Sequence, residues 1–149
     1  MVRLSIEYTQ GGLPPLLSRQ TWYRKIIVAV QRHVSKKDPM AFAVVLVDDV
    51  KIKELHTSYL GRRRITDVLS FFYSAESTDD TASGEIFISV PQALRQAKRY
   101  RTTIEKEMAR LVIHGALHVY GYDHMKTQER TVMMSLSKKI MKSIEGDLV

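Results

Sequence analysis

The sequence predicts an α+β domain of α/β-like character, a four-stranded mixed sheet packed with four to five helices, and three observations carry that prediction. Met40 to Val47 (MAFAVVLV) is continuously apolar, as a central strand covered on both faces must be. Val2 to Tyr8 and Gly84 to Val90 alternate apolar and polar residues, the period of half-buried strands. Between them, apolar residues recur at helical spacing: Trp22, Ile26, Ile27, Val30 and Val34 form one such stripe. The order strand, helix, strand, helix and then a strand pair implies a mainly parallel sheet with one antiparallel member.

Taken in order, Gly11, Gly12, Pro14 and Pro15 break the first strand from the first helix, for which Ser18 is the expected N-cap. Asp48 or Asp49 caps a short helix running to about Tyr59, with Val50 and Leu55 facing inward. A basic loop, Gly61-Arg62-Arg63-Arg64, precedes the strand Asp67 to Tyr73. Ser74 to Ser83 is polar and acidic and reads as a hairpin loop. Pro91 suits the first turn of a helix whose inner face holds Ala93, Leu94 and Ala97. Thr102 and Glu105 form a capping-box pattern that starts a further helix near Thr103, carrying Ile104, Met108, Leu111 and Val112 inward and stopping at Gly121. A last helix, from about Gln128 to Ile144, buries Val132, Met133, Leu136, Ile140 and Ile144. No repeat or second domain is visible, so residues 1–149 are read as one domain.

Composition narrows the chemistry. The chain has no cysteine, which excludes disulfides and thiolate metal sites and leaves imidazole and carboxylate as metal ligands. The formal net charge is +7, a surplus that favours a polyanionic partner. The N-terminus lacks the apolar core of a signal peptide, and no apolar run approaches the roughly 20 residues of a membrane span, so a cytoplasmic location is expected.

Three of the five histidines fall within the segment His114-Gly115-Ala116-Leu117-His118-Val119-Tyr120-Gly121-Tyr122-Asp123-His124. His114 and His118 are four apart on a helix, so both imidazoles leave one face about one turn apart and can bind one ion. Gly121 can end that helix in the left-handed conformation, after which His124 can swing back as a third ligand. Three neutral imidazoles leave an open coordination position, the arrangement of catalytic rather than structural zinc. The expectation is one Zn(2+) per chain on a zincin-like helix. His33 and His56 lie outside the pattern and read as ordinary surface residues.

The spacing matches the metzincin pattern H-E-x-x-H-x-x-G-x-x-H at every position but the second. Metalloproteases use that glutamate as general base; here it is Gly115, so peptide hydrolysis is not expected. A phosphodiester with a neighbouring 2′-hydroxyl can be cleaved with different groups. Asp123 can accept a proton or orient a ligand imidazole, or simply hold the turn, the favoured of the two. Glu107 lies on the same helical face as His114 and is read as exposed.

H-G-x-L-H-x-x-G-Y-D-H resembles the signature of the bacterial YbeY family of metal-dependent endoribonucleases, also called rRNA maturation factors. Thr66-Asp67-Val68-Leu69-Ser70-Phe71 is similar to that family's T-D-V-L-S-F strand, and Gly84-Glu85-Ile86 to its G-D-I motif with Glu for Asp. The resemblance spans nearly the whole chain. It implies zinc held by His114, His118 and His124, and cleavage of single-stranded RNA. It also implies a part in maturing the 3′ end of 16S ribosomal RNA and in ribosome quality control, with the small ribosomal subunit as partner. The family's N-x-x-Y-R-G-K-D-x-P stretch departs here: its Asn falls on His56, its Arg on Leu60 and its Pro on Ile65. Arg62, Arg63 and Arg64 are the candidate RNA-phosphate contacts in place of that arginine. Two alternatives stay open: a metal-dependent hydrolase of another substrate, and a non-catalytic, zinc-braced ribosome-binding factor.

Overall fold

The computed structural model describes residues 1–35, 40–60, 67–75, 81–122 and 126–148, with the side chains of residues 59 and 60 excepted. Four strands, β1 (Val2–Ile6), β2 (Met40–Val47), β3 (Val68–Tyr73) and β4 (Ala82–Ser89), form a sheet in the order β1-β2-β4-β3. β1 with β2 and β2 with β4 run parallel, and β3 runs antiparallel to β4, so the mixed sheet is the one the element order implied. The five α-helices are α1 (Gln20–His33), α2 (Asp49–Leu60), α3 (Val90–Arg99), α4 (Ile104–Val119) and α5 (Thr127–Ile144).

β2 shows why its sequence lacks alternation. Phe42, Val44 and Leu46 enter the main core with Ile86 and Ile88 of β4 and the inner faces of α1, α4 and α5. Val45 and Val47 point the other way, into a smaller cluster with Ile52 and Leu69. Both faces are covered, and a polar residue on either would lose its water without gaining a partner.

Several local expectations shift. Ser18 does not cap α1: it closes a preceding 3-10 turn, Pro15–Ser18, by donating to the Pro15 carbonyl at 2.8 Å, and α1 starts at Gln20 after Arg19, which makes no side-chain cap bond. Asp48 does cap α2, its Oδ1 accepting from the Lys51 amide at 3.1 Å. The inward face of α2 is Ile52 and His56, one turn apart, with the expected Leu55 partly buried against the same cluster as Ile52, while Val50 is 62% exposed. The first-turn residue points outward because Ile52 already fills the seat against Val47 and Leu69. His56 is therefore a buried residue at 3% exposure and not a surface one. Similarly, Leu94 and Val132 are exposed, because Ala93 and Ala97 on α3 and Met133 and Ile140 on α5 take the core positions. β4 begins at Ala82, so the expected hairpin loop is shorter at its far end. The cap of α4 is Thr103, whose hydroxyl accepts from the Lys106 amide at 3.1 Å, one residue later than the Thr102 pattern suggested.

Candidate metal centre

α4 is the most deeply buried helix, and its last turns carry the site. From Leu111 to Tyr120 every residue is buried except His114 and His118. A helix this enclosed presents one open stripe, and the two imidazoles occupy it. Their Nε2 atoms converge to 3.0 Å, with ring centroids 4.6 Å apart and planes inclined by 66°. When one Nε2 carries its proton, this contact is a hydrogen bond. When both are bare, the lone pairs form a two-toothed jaw. Two bonds of about 2.0–2.1 Å to a tetrahedral zinc span about 3.3 Å between nitrogens. The observed separation is within a few tenths of an ångström of that, so the pair fits a single ion.

The helix ends as Gly121 requires. Its φ of 96° is the left-handed conformation. The Gly121 amide donates to the His118 carbonyl at 2.9 Å and the Tyr122 amide to the Leu117 carbonyl at 3.0 Å. That pair of bonds is a Schellman motif, which satisfies the last carbonyls and turns the chain back after His118. Asp123 and His124, the expected proton acceptor and third ligand, lie outside the described residues, as do Arg62, Arg63 and Arg64. The structure thus brings together two of the three expected ligands. Among the described residues no group of three or more His, Asp or Glu is placed to hold a metal.

Gly115 has a structural reason that the sequence did not reveal. A Cβ at this position would come within 2.6 Å of Ile86 Cγ2, 3.0 Å of Ser70 Oγ and 3.3 Å of Val68 Cγ2. The position therefore faces the sheet, away from the imidazoles. The protease glutamate is absent because α4 packs directly on β3 and β4, and no general base can be delivered from there. The contact is pinned by Ser70, whose Oγ donates to the Gly115 carbonyl at 3.0 Å. Because that carbonyl sits within the helix and keeps a second lone pair for its own ladder bond, Ser70→Ala is expected to cost only about 0.5–1.5 kcal/mol, read as a reduced denaturation midpoint with unchanged slope.

One functional candidate was missed. Arg110 lies four residues before His114, so residues 110, 114 and 118 form one stripe, a spacing that was available in the sequence. Its Nε and Nη2 donate to Glu107 Oε1 and Oε2 at 2.8 and 2.7 Å, and Nη2 lies 3.7 Å from Asp67 Oδ2. Gln96 Nε2 donates to Glu107 Oε2 at 2.6 Å and to Asp67 Oδ2 at 3.4 Å. Glu107, read as exposed from the sequence, is 2% exposed and serves as the anchor of this network. Its hydrogen bonds hold the Arg110 guanidinium above its ordinary pKa, against the opposing push of burial, with attraction to Glu107 and Asp67 adding. A two-point clamp fixes the guanidinium plane beside His114.

A helix-borne pair of converging imidazoles on a mixed sheet, with no third His, Asp or Glu grouped with them among the described residues, fits a single metal ion. The model of the family described as endoribonuclease YbeY matches residues 14–145, and the chain belongs to that family. An endoribonuclease YbeY from Desulfitobacterium hafniense is 37% identical over 147 residues, covering 93% of this chain and 89% of that one. Another, from Aster yellows witches'-broom phytoplasma, is 35% identical over 113 residues, covering 72% of this chain and 76% of its own. The solution structure of TM1509 from Thermotoga maritima superimposes with a TM-score of 0.57 at 26% identity, covering 99% of this chain and 93% of that one. Membership makes the protein a nuclease, a hydrolase of phosphodiester bonds within RNA.

Proposed function

We propose that the protein is a zinc-dependent endoribonuclease that cuts single-stranded RNA, and that the His114–His118 jaw is its catalytic centre. The observation that carries this reading is the convergence of two Nε2 atoms to 3.0 Å on the one open stripe of a buried helix. His114 and His118 would hold the ion through Nε2, with His124 as the third ligand. Bound there, zinc would supply Lewis-acid chemistry at a phosphate oxygen and lower the pKa of water towards neutral pH. The protein's own part is to place the phosphodiester. Arg110, held rigid by Glu107, offers a guanidinium beside the jaw that offsets charge developing on the phosphoryl oxygens. Arg62, Arg63 and Arg64 would add phosphate contacts in place of the family arginine that Leu60 replaces. The physiological substrate in this reading is ribosomal RNA, at the 3′ end of 16S, met on the small ribosomal subunit in the cytoplasm. A role in ribosome quality control follows from the same activity.

Substrate class tests this directly. Labelled single-stranded RNA is expected to be cut, duplex RNA at least about tenfold more slowly, and casein not at all. A chelator is expected to abolish cleavage and added zinc to restore it. Proteolysis that depends on His114 would overturn the reading. So would cleavage that persists in the metal-stripped protein. Neutralising Arg62, Arg63 and Arg64 together is expected to weaken RNA binding and flatten its salt dependence, with zinc content unchanged. The slope should fall by up to about 0.7 for each single-strand phosphate that is no longer neutralised.

A further inference from the structure

The geometry points to a nucleotide-binding groove between α4 and α5 that takes the unpaired base next to the scissile phosphate, an inference that rests on the nuclease reading above. The groove has a volume of about 310 Å³, within the range of small-ligand pockets, and His114 is among the residues that line it. Its floor is apolar: Ile113 from α4 faces Met133 and Met141 from α5. Its rim is cationic: Arg110 on α4 opposes Arg130 and Lys138 on α5.

The helix periodicity explains how one element supplies both chemistries. Met133, Ser137 and Met141 are successive members of one stripe of α5, and Arg130, Met134 and Lys138 are successive members of the next. The first stripe lines the bottom and the second the lip. Met134 is 53% exposed, an apolar side chain left at the surface where the groove opens. Thioethers adapt their shape and make favourable contacts with aromatic rings, so a floor of methionines receives a flat base without demanding one identity. Cations at the lip suit the phosphates on either side of that base. The combination of a basic track with an apolar platform is the pattern of single-strand binding sites, which tolerate sequence because every base has a π face.

The groove's position gives it a role in the reaction. Because His114 both lines it and forms half of the jaw, a base seated on the methionines leaves its own phosphate at the metal site. A base stacked and paired inside a duplex cannot enter without being splayed out, so the groove itself selects single strands. Arg110 belongs to both features: its clamp to Glu107 uses Nε and Nη2, which leaves Nη1 outside that pair of bonds.

The test is steady-state cleavage of a labelled single-stranded oligoribonucleotide by the zinc-loaded protein. Lys138→Glu and Met134→Glu change exposed side chains at the lip, and Lys139→Glu makes the same charge change on the neighbouring stripe of α5. The first two are expected to raise KM at least about fivefold with kcat within about twofold, and Lys139→Glu to leave both unchanged. A probe lacking the bases around the cut site is expected to show the raised KM with wild-type protein and no further rise with Met134→Glu. Unchanged KM in both lip variants, while the wild type cuts RNA, overturns the groove and leaves the nuclease reading standing. Equal effects from all three variants show only general electrostatics and also overturn it. A wild type that cuts no RNA removes both readings. A wild-type dimer that Met134→Glu dissociates, measured by light scattering, shows the groove filled by a second copy and likewise overturns it.

Discussion

His114→Ala and His118→Ala are each expected to strip most of the roughly one zinc per chain from the purified protein and to lower RNA cleavage at least about 100-fold. The size of the effect follows from the small number of ligands. With no cysteine in the chain, only imidazole and carboxylate ligands are left, and on the proposed three-imidazole site removing one tooth of the jaw would leave too few nitrogens to hold the ion against water. His124→Ala is expected to do the same. Both described rings are only partly buried, so the fold should survive their loss, with the thermal midpoint of the metal-free variants close to that of the metal-free wild type. Full zinc content in any two of the three variants would sink the ligand assignment. A wild type that binds zinc and cuts nothing would favour the bracing role instead.

Gly115→Glu is expected to destabilise the protein by more than about 4 kcal/mol and to yield no peptidase. The substitution restores the metalloprotease spelling but not its geometry. Position 115 faces Ile86, Ser70 and Val68, where even a Cβ meets a methyl group at 2.6 Å. Gly115→Ala already forces the sheet and helix apart and should cost about 1–3 kcal/mol by overpacking. The glutamate adds further volume and a carboxylate pressed towards Ile86 and Val68, which raises the cost again. Equilibrium denaturation of the two variants checks the gradation. A Gly115→Ala protein as stable as wild type would mean that α4 does not pack on the sheet as closely as described.

The fold was legible where periodicity and burial agree. The run from Met40 to Val47 is unbroken because both faces of β2 are covered, and the antiparallel pairing of β3 with β4 followed from the short polar connection between them. What escaped was the choice among neighbouring apolar residues. Val50 and Ile52, Ala93 and Leu94, and Val132 and Met133 are close in sequence, and only the packed partner decides which turns inward. The histidine jaw was legible because a four-residue spacing on a helix leaves a single geometric outcome. Glu107 was misread because a carboxylate on a helix is usually solvated. Its burial is offset by Gln96, which comes from α3 and donates to its Oε2. Arg110 was overlooked for the same reason: its spacing from His114 is plain, but its orientation is set by the Glu107 clamp. His56 was placed at the surface because nothing local marks it as the partner of Ile52 on the inner face of α2.

One measurement bears most directly on the claim that the imidazole pair of α4 is the centre of an RNA-cutting enzyme. Wild-type protein and His114→Ala are stripped of metal, and single-stranded RNA cleavage is followed in each as zinc is added back, with zinc content measured on the same samples. Wild-type activity is expected to rise with zinc and saturate near one ion per chain, while His114→Ala remains inactive at the same free zinc concentrations. Equal, zinc-restored cleavage by His114→Ala would place the catalytic metal elsewhere and contradict that claim.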